Sequence, residues 1–188
     1  MTEVSIRNMV CPRCISSVEA IFHHAGTGAA EVSLGKVRLP QPLSPTDEEK
    51  VRQALLDAGF EWLDDPRLQL VSQVKNEITA LVQSGTLDEM NDTLSVYLSR
   101  KLLRDYHTLS VLFSSMEGTT IEQYFILQKI EKVKEWIQYK EYTLSEMAIR
   151  LGYSSVAHLS SQFRKVTGMT PSAFGQSGTE ARRPIDGL

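Results

Sequence analysis

The chain has 188 residues, of which 41% are hydrophobic and 23% charged, as is usual for soluble globular proteins. No apolar run approaches the roughly 18 residues that a membrane span needs, and the N-terminus has no secretory-signal pattern, so we expect a cytoplasmic protein without a membrane partner. The net charge of −3 excludes a uniformly basic surface, but residues 98–175 hold ten basic and seven acidic residues, which permits a local nucleic-acid-binding face.

The first 65 residues predict six short elements in the order β-α-β-β-α-β. Alternating apolar and polar residues favour strands at 3–8, 30–34, 36–39 and 60–63. Helical spacing favours helices at 13–24, ended by Gly26 and Gly28, and from the N-cap Ser44 to Gly59. This order within about 65 residues is typical of a ferredoxin-like α+β domain.

From residue 66 to about residue 175 the apolar residues recur only at helical spacing, which predicts an all-α domain. Residues 93–124 and 143–174 form an internal repeat with an offset of 50 and nine identities in 32 positions. The identical pairs are Thr93/Thr143, Leu94/Leu144, Ser95/Ser145, Arg100/Arg150, Leu109/Leu159, Ser110/Ser160, Phe113/Phe163, Gly118/Gly168 and Thr120/Thr170. Each copy predicts a helix–turn–helix hairpin, and a long helix from Thr119 to about Tyr139 joins the two copies. Residues 176–188 are expected to be a disordered tail.

The second helix of the second copy has an outward face of short polar or basic side chains. These are Ser160, Ser161, Gln162, Arg164 and Lys165. Such residues can approach base edges and phosphates in the major groove of double-stranded DNA. Helical hairpins also occur with a face that is simply solvated, and the spacing alone leaves both interpretations open.

The segment LSEMAIRLGYSSVAHLSSQFRKVTGMTPSAF (144–174) resembles the second helix–turn–helix of AraC-type transcriptional regulators. Its matches to the family pattern are Ala148, Leu151, Gly152, Tyr153, Ser154, Phe163, Arg164, Gly168 and Pro171. The segment IEQYFILQKIEKVKEWI (121–137) resembles the helix that joins the two hairpins of that family. The resemblance implies two recognition helices that enter successive major-groove segments on one side of the DNA, and RNA polymerase is a further expected partner.

By this resemblance the two recognition helices lie at about 105–115 and 155–165. The residues expected to contact DNA are Tyr106, His107, Ser110 and Ser114 in the first helix and Ser155, Val156, Ala157, Ser160, Ser161, Arg164 and Lys165 in the second. Val156 and Ala157 offer methyl groups to thymine, whereas the basic pair Arg164–Lys165 suits phosphates.

The first copy departs from the family pattern in its turn and its charge. Leu102 stands where the second copy has the turn glycine Gly152, and Ser114–Ser115 replace the basic pair. Asp105 and Glu117 add negative charge close to the expected DNA backbone. The first hairpin is therefore expected to contribute less phosphate affinity than the second.

The two cysteines of the chain, Cys11 and Cys14, form a CxxC motif between the first predicted strand and helix. Two thiols at this spacing bind a soft metal, form a reversible disulfide or remain unreactive. A closed zinc site needs four ligands, and His23 and His24 lie about 14–15 Å farther along the helix, too far to complete one. Two-coordinate Cu(I) is the metal that best fits two thiolates alone.

The segments NMVCPRC and DAGF resemble the heavy-metal-associated domain of copper chaperones and metal-pumping ATPases. The matching residues are Met9, Cys11, Cys14, Gly59 and Phe60. Asn8 departs from the pattern, since the family has glycine there. The resemblance covers about residues 2–65 and implies that Met9 is a core residue. Cys14 is expected to begin the first helix, where the helix dipole favours its thiolate. Arg13, between the two cysteines, is expected to lower the pKa of both thiols.

The leading hypothesis is a sequence-specific transcriptional regulator with a heavy-metal-associated domain at 1–65 and an AraC-type DNA-binding domain at 66–175. It would respond through Cys11 and Cys14 to Cu(I), to another soft metal or to thiol redox state, and no metal is required for its fold. The alternative is a copper chaperone or storage protein with a protein-binding helical part, which the balanced charge of residues 70–188 keeps open. The sequence has no Ser/His/Asp grouping, Gly-rich phosphate loop or HExxH motif, so no enzymatic activity is predicted.

Overall fold

The computed structural model describes residues 2–27 and 30–177. The chain divides between Asn76 and Glu77 into two compact units, each with its own hydrophobic core. The boundary predicted after Asp65 lies at the start of a helix, Pro66–Gln83, that contributes residues to both units. The placement of the domain boundary at 65/66 stays a prediction.

The first unit has the predicted element order. Its elements are β1 (Thr2–Arg7), α1 (Pro12–His24), β2 (Glu31–Ser33), β3 (Lys36–Leu39), α2 (Pro45–Asp57) and β4 (Glu61–Leu63). The strands form one antiparallel sheet in the order β2-β3-β1-β4, in which Val4 is opposite Val37 and Ile6 is opposite Trp62. That this sheet belongs to a ferredoxin-like heavy-metal-associated domain stays a prediction. Of the two glycines expected to end α1, Gly26 follows it with a φ of 71°, and Gly28 lies outside the described residues.

The core of the first unit arises from the strand periodicity and the helix periodicity of apolar residues in its sequence. Val4 and Ile6 alternate along β1 and are buried, and they share a core cluster with Val18 of α1 and Val51 of α2. Met9 is fully buried in the same cluster, as predicted for a core residue. Strands contribute every second residue to this core, and helices contribute every third or fourth.

The starts of the two helices in the first unit follow from local chemistry. The Ser44 hydroxyl accepts a hydrogen bond from the Asp47 amide at 3.2 Å, and Pro45 occupies the first helical position of α2. Helix α1 also begins with a proline, Pro12, so Cys11 is its N-cap residue. The expectation that Cys14 begins this helix was wrong, because the fixed φ of proline suits the first helical position and starts the helix two residues earlier.

The second unit is helical throughout its described part. After α3 (Pro66–Gln83) and a short 3₁₀ helix (Leu87–Glu89) come α4 (Leu94–Leu102), α5 (Tyr106–Glu117), α6 (Ile121–Tyr139), α7 (Leu144–Arg150), α8 (Val156–Thr167) and α9 (Pro171–Ser177). Residues 176 and 177 of the tail expected to be disordered belong to α9, and residues 178–188 lie outside the described part. None of the described helices is long and apolar enough to cross a membrane.

The internal repeat is reproduced in the helix starts of the second unit. Each N-cap hydroxyl or carboxylate accepts a hydrogen bond from the backbone amide three residues later. These N-cap residues are Thr93, Asp105, Thr120, Thr143 and Ser155. The helices α4 and α5 form the first hairpin, α7 and α8 form the second, and α6 joins them, as the repeat predicts.

Helix α6 is buried around most of its circumference. Ile130, Val133 and Trp136 belong to a core cluster that also contains Leu159 and Phe163 of α8. Charged residues are buried beside them, including an ion pair between Lys134 and Glu131 at 2.6 Å. The second hairpin thus packs against a helix that is part of its own core, and this helix is not an exposed linker.

Candidate nucleic-acid interface and thiol pair

One face of α8 is exposed along its whole length. Leu159 and Phe163 are fully buried and fix which side of the helix points inward. The exposed side chains on the other side are Ala157, His158, Ser161, Arg164 and Lys165. They recur at spacings of three and four residues, so they form one continuous stripe of small, polar and basic groups.

The predicted DNA-contacting residues of α8 divide into exposed and partly buried ones. Ala157, Ser161, Arg164 and Lys165 lie on the exposed stripe, and Ser160 is half-buried at its edge. Two further predicted residues have a structural task. The exposed Ser155 is the N-cap, and its hydroxyl accepts a hydrogen bond from the His158 amide at 3.1 Å. Half-buried Val156 packs against the core, so only part of its side chain is available to a thymine methyl group.

His158 is an exposed residue of this stripe that sequence reasoning missed. Its Nδ1 is hydrogen-bonded to the Ser154 hydroxyl at 3.1 Å, and its ring lies edge-on to the Tyr153 ring with the centroids 5.2 Å apart. Helical periodicity could have found it, because His158 lies three residues before Ser161 and therefore on the same side of the helix.

The equivalent face of α5 has a different composition. Its exposed side chains are His107, Thr108, Val111 and Ser115. Of the residues predicted to contact DNA, His107 lies on this face, whereas Ser110 and Ser114 are half-buried. Val111 is 56% exposed and was missed by sequence reasoning, although the repeat with its offset of 50 makes it equivalent to Ser161 of α8.

Tyr106, also predicted to contact DNA, is engaged within the protein. Its hydroxyl donates a hydrogen bond to Glu122 at 2.5 Å, which ties the start of α5 to the start of α6. Burial and the neighbouring carboxylate raise the pKa of the Tyr106 hydroxyl, and the same hydrogen bond lowers the pKa of Glu122. The Tyr106 side chain is half-buried, so Tyr106 has a structural role in holding the starts of α5 and α6 together.

The turns of the two hairpins are built differently. In the second hairpin Gly152 takes the left-handed conformation with a φ of 65°, which a glycine adopts without strain. In the first, Leu102 is still the last residue of α4, and Leu103 takes the left-handed conformation with a φ of 52°. The prediction that Leu102 occupies the position of the turn glycine therefore misplaced the turn by one residue.

The first hairpin carries its positive charge at the turn. Arg100, Lys101 and Arg104 lie at the end of α4 and just after it, and Arg100 forms an ion pair with Asp92 at 2.8 Å. Asp105, expected to repel the DNA backbone, is the N-cap of α5. Hydrogen bonds from the Thr108 hydroxyl and amide hold the pKa of Asp105 below its usual range.

The thiols of Cys11 and Cys14 lie side by side at the start of α1. Their sulfur atoms are 3.3 Å apart, and both residues are free cysteines of intermediate exposure. Burial opposes ionisation of Cys11, but hydrogen bonds from the Cys14 thiol and from backbone amides outweigh it and lower the pKa of Cys11. Burial and the neighbouring Cys11 raise the pKa of Cys14, so the expectation that both thiols have a lowered pKa was wrong for this one.

Asn8 holds the loop that carries these thiols. It has a φ of 71°, a conformation that asparagine tolerates better than most residues, and its side-chain amide donates to the Gly59 carbonyl at 3.0 Å. This bond links the two segments that resemble the heavy-metal-associated pattern. Among the described residues there is no group of three or more His, Cys, Asp and Glu side chains that could hold a metal ion. Binding of Cu(I) or another soft metal by these two thiols stays a prediction.

Comparisons with known proteins bear on the second unit. Residues 98–177 match a family model described as a helix-turn-helix domain. The chain is 33% identical over 63 residues to "Probable transcriptional regulator LumQ" of Photobacterium leiognathi, which covers 34% of this chain and 25% of that protein. The chain therefore spans about a quarter of the length of this curated relative.

Two solved structures resemble part of the chain. The C-terminal domain of AraT, a response regulator from Geobacillus stearothermophilus, has a TM-score of 0.50 at 18% identity and covers 63% of this chain and 93% of that one. The DNA-binding domain of AdpA, a global transcriptional factor in complex with a target DNA, has a TM-score of 0.45 at 22% identity and covers 61% and 93%. The first of these likenesses shows the fold, and the family model supports it for the residues of both hairpins. Residues 98–177 therefore form a helix–turn–helix domain, and its assignment to the AraC type stays a prediction.

Proposed function

We propose that the protein is a sequence-specific transcriptional regulator that binds double-stranded DNA and responds to a soft metal or to thiol redox state. The observation that carries the DNA-binding part is the exposed stripe of α8, which lies within the residues matched by the helix–turn–helix model. Short side chains on such a face let a helix approach base edges, and cations at its end neutralise phosphates.

The exposed stripe of α8 divides into two parts along the helix. Ala157 and Ser161 are small and exposed, so they suit close approach to the major-groove floor. Arg164 and Lys165 lie in the last turn of α8, where they also interact favourably with the helix dipole. We assign base reading to the first pair and phosphate binding to the second.

Helix α5 would read a second segment of the groove with a more apolar face. Val111 presents its methyl groups there, and apolar contacts of this kind favour thymine. Lys101 and Arg104 at the preceding turn are the phosphate-binding groups of this hairpin in our proposal. Contact with RNA polymerase is part of the same proposal, as expected for a regulator that acts at a promoter.

The sensing part of the proposal rests on the geometry of the two thiols. With metal–sulfur distances of about 2.3 Å, two sulfurs can lie up to about 4.6 Å apart and still share one ion. The observed separation of 3.3 Å is shorter than this, so the two sulfurs would move apart to about 4.6 Å around a linear, two-coordinate ion. Cys11 is the thiol whose lowered pKa favours the thiolate. A soft ion such as Cu(I) would replace the thiol protons and join both sulfurs.

The same pair can also act as a redox switch. The Cys11 thiolate would attack one sulfur of a low-molecular-weight disulfide and release one small thiol. Cys14 would then attack the Cys11 sulfur of the mixed disulfide and release the second small thiol. Two thiols are oxidised to one intramolecular disulfide, and the small disulfide is reduced to two thiols. Either event would reach the DNA-binding unit along α3, since this single helix contains residues of both units.

A metal-handling protein is the second candidate function. The CxxC pair is complete, and residues 70–188 carry thirteen basic and thirteen acidic residues, a balance that does not by itself favour DNA. On this hypothesis the protein would be a copper chaperone or store, and the helix–turn–helix unit would bind another protein.

The test is DNA binding by fluorescence anisotropy, on duplexes from the region upstream of the protein's own coding sequence and from a random pool. Salt is titrated with and without one equivalent of Cu(I) under reducing conditions. We expect nanomolar-range binding that weakens steeply with salt and shifts with Cu(I). The double variant Cys11→Ser/Cys14→Ser is expected to bind DNA like the unmodified protein but to ignore Cu(I).

The outcomes separate the two candidates. The sensing part of the proposal would be contradicted if the specific DNA affinity is the same without Cu(I), with Cu(I), with a small disulfide and in the double variant. The DNA-binding part of the proposal would then still hold. The absence of any selected duplex, together with retained Cu(I) binding at Cys11 and Cys14, would contradict the regulator and favour the metal-handling protein.

A further inference from the structure

A buried lysine of α6 lies behind the turn of the second hairpin. The Lys129 side chain is 9% exposed, and its ammonium group donates a hydrogen bond to the Leu151 carbonyl at 3.4 Å. The ammonium also lies 3.9 Å from the centre of the Tyr153 ring and 4.9 Å from that of Phe125. Leu151 and Tyr153 flank Gly152, so Lys129 contacts both sides of the left-handed residue in this turn.

This contact continues to the exposed stripe of α8. Tyr153 is 6% exposed, and its ring contacts both the Lys129 ammonium and the His158 ring, whose centroid is 5.2 Å away. His158 is on the exposed face and is also hydrogen-bonded to Ser154. A chain of direct contacts therefore runs from the buried cation through one aromatic ring to a side chain on the candidate DNA-binding surface.

The first hairpin has no equivalent of this arrangement. The position of Tyr153 is taken there by Leu103, which is 80% exposed, and the position of His158 by Thr108. The arrangement is therefore not required to fold an α-helical hairpin of this length. The cation held among aromatic rings therefore has a role that is specific to the second hairpin.

We propose that Lys129 is a positioning residue, which sets the orientation of the start of α8 through Tyr153 and His158 and thereby the affinity of the second hairpin for DNA. This inference rests on the proposed DNA-binding function. The physical basis is the attraction between an ammonium group and the face of a ring, which is stronger where water is excluded. It fixes the Tyr153 ring, and the His158 ring packs nearly perpendicular to that ring.

Stability and DNA affinity together distinguish a purely structural role of Lys129 from a positioning role. A buried cation without a carboxylate partner opposes folding, so an apolar replacement of similar shape is expected to keep or raise stability. The variant Lys129→Met should therefore unfold at the same or a higher temperature. If Lys129 positions α8, the same variant should nevertheless bind DNA about tenfold more weakly.

The experiment measures three properties of the full chain. They are the unfolding temperature, the affinity for a duplex selected from a random pool, and the nuclear magnetic resonance signals of the His158 imidazole. Lys129→Met and His158→Ala are compared singly and together, and Tyr153→Leu is a second way to break the chain of contacts. Tyr153→Phe is the matched control, because the Tyr153 hydroxyl has no hydrogen-bond partner among the described residues while the ring is retained.

We expect Lys129→Met to shift the His158 signals, to lower affinity about tenfold and to have little further effect once His158 is alanine. Tyr153→Leu should reproduce the loss, and Tyr153→Phe should not. Unchanged His158 signals in Lys129→Met, or affinity losses that simply add in the double variant, would overturn the proposal. If the unmodified protein selects no duplex, the proposed function fails, and the His158 signals still decide whether Lys129 sets the geometry of the turn.

Discussion

Leu103 and Tyr153 occupy equivalent positions in the two hairpins, 50 residues apart, yet Leu103 is 80% exposed and Tyr153 is 6% exposed. Leu103 takes up the left-handed conformation of its turn, whereas in the second hairpin Gly152 does so and leaves Tyr153 free to enter the core. The duplicated sequence has thus diverged into one turn that is anchored in the core and one that is not. In our proposal this difference makes the two hairpins unequal in how they hold DNA.

The first prediction concerns the strained residue in the unanchored turn. Leu103 has a φ of 52° and solvent around its side chain, so Leu103→Gly removes backbone strain without leaving a cavity. We expect the free energy of unfolding to rise by about 1 kcal/mol, because the relief of strain exceeds the entropy that glycine adds to the unfolded chain. Chemical denaturation measures this change.

The inverse variant is the control for Leu103→Gly. Gly118 has a φ of 66° and no atom near the place of a Cβ, so Gly118→Ala introduces the same strain and nothing else. It should lower the free energy of unfolding by about 1 kcal/mol. A loss of stability in Leu103→Gly would show that the exposed leucine makes a contact that outweighs its strain.

The second prediction concerns base reading by α5. Val111 is a 56% exposed apolar residue in the middle of the α5 face, so we expect it to contact a thymine methyl group. Replacing each thymine of the selected duplex by deoxyuridine should reveal one position at which the unmodified protein loses about three- to tenfold in affinity. In Val111→Ser that position should become insensitive to the replacement.

Val96 provides the matched control, because it is a 46% exposed valine on α4 outside the recognition helix. Val96→Ser should retain the full sensitivity to deoxyuridine. If Val111→Ser still loses affinity when the thymine at that position is replaced by deoxyuridine, Val111 does not contact this thymine.

The third prediction concerns the electrostatic contribution of α8. If Arg164 and Lys165 each bind a phosphate, replacing both by alanine should make the slope of log affinity against log salt less negative by about 1.8. Base preference should change little, since phosphate contacts carry no sequence information. The pair Lys50→Ala/Arg67→Ala removes two exposed cations of the first unit and should leave the slope unchanged. Equal slopes in the two double variants would mean that α8 does not lie along the backbone.

Much of the helical architecture follows from features that are local in the chain. The caps at Thr143 and Ser155 act over three residues, and the repeat transfers them to Thr93 and Asp105. Such signals require no knowledge of tertiary structure. For the same reason the starts of α4, α5, α7 and α8 match the repeat. The turn at Leu103 does not match it, because α4 continues two residues farther than α7 and such an extension is a small change in energy.

The details of the candidate site were less predictable because they depend on burial. Periodicity shows that α8 has an outward face, but it does not show that half-buried Val156 packs on the core or that the Tyr106 hydroxyl binds Glu122. The opposite pKa shifts of Cys11 and Cys14 arise from their unequal burial and from the hydrogen bond between them. Lys129 gave no signal in the sequence, since a lysine in a helix is usually exposed.

The last prediction is the pH dependence of stability that Lys129 causes. Burial lowers its pKa from 10.5 to about 8, so between about pH 8 and pH 10.5 the unfolded chain binds a proton at this site that the folded chain does not. Stability from this group therefore rises with pH across that window, with a slope of at most about 1.4 kcal/mol per pH unit, and is constant below it. The Tyr153 hydroxyl faces the same site, but burial raises its pKa, which keeps it protonated in this range.

The difference in unfolding free energy between the unmodified protein and Lys129→Met isolates this effect from the other groups that titrate above pH 8. It is measured by urea denaturation at several pH values from 7 to 9.5. We expect Lys129→Met to be the more stable of the two at pH 7 and its advantage to shrink as the pH rises and the lysine loses its charge. An advantage that stays constant over this range would mean that Lys129 keeps its proton, in which case the rings of Tyr153 and Phe125 stabilise the cation more strongly than burial opposes it.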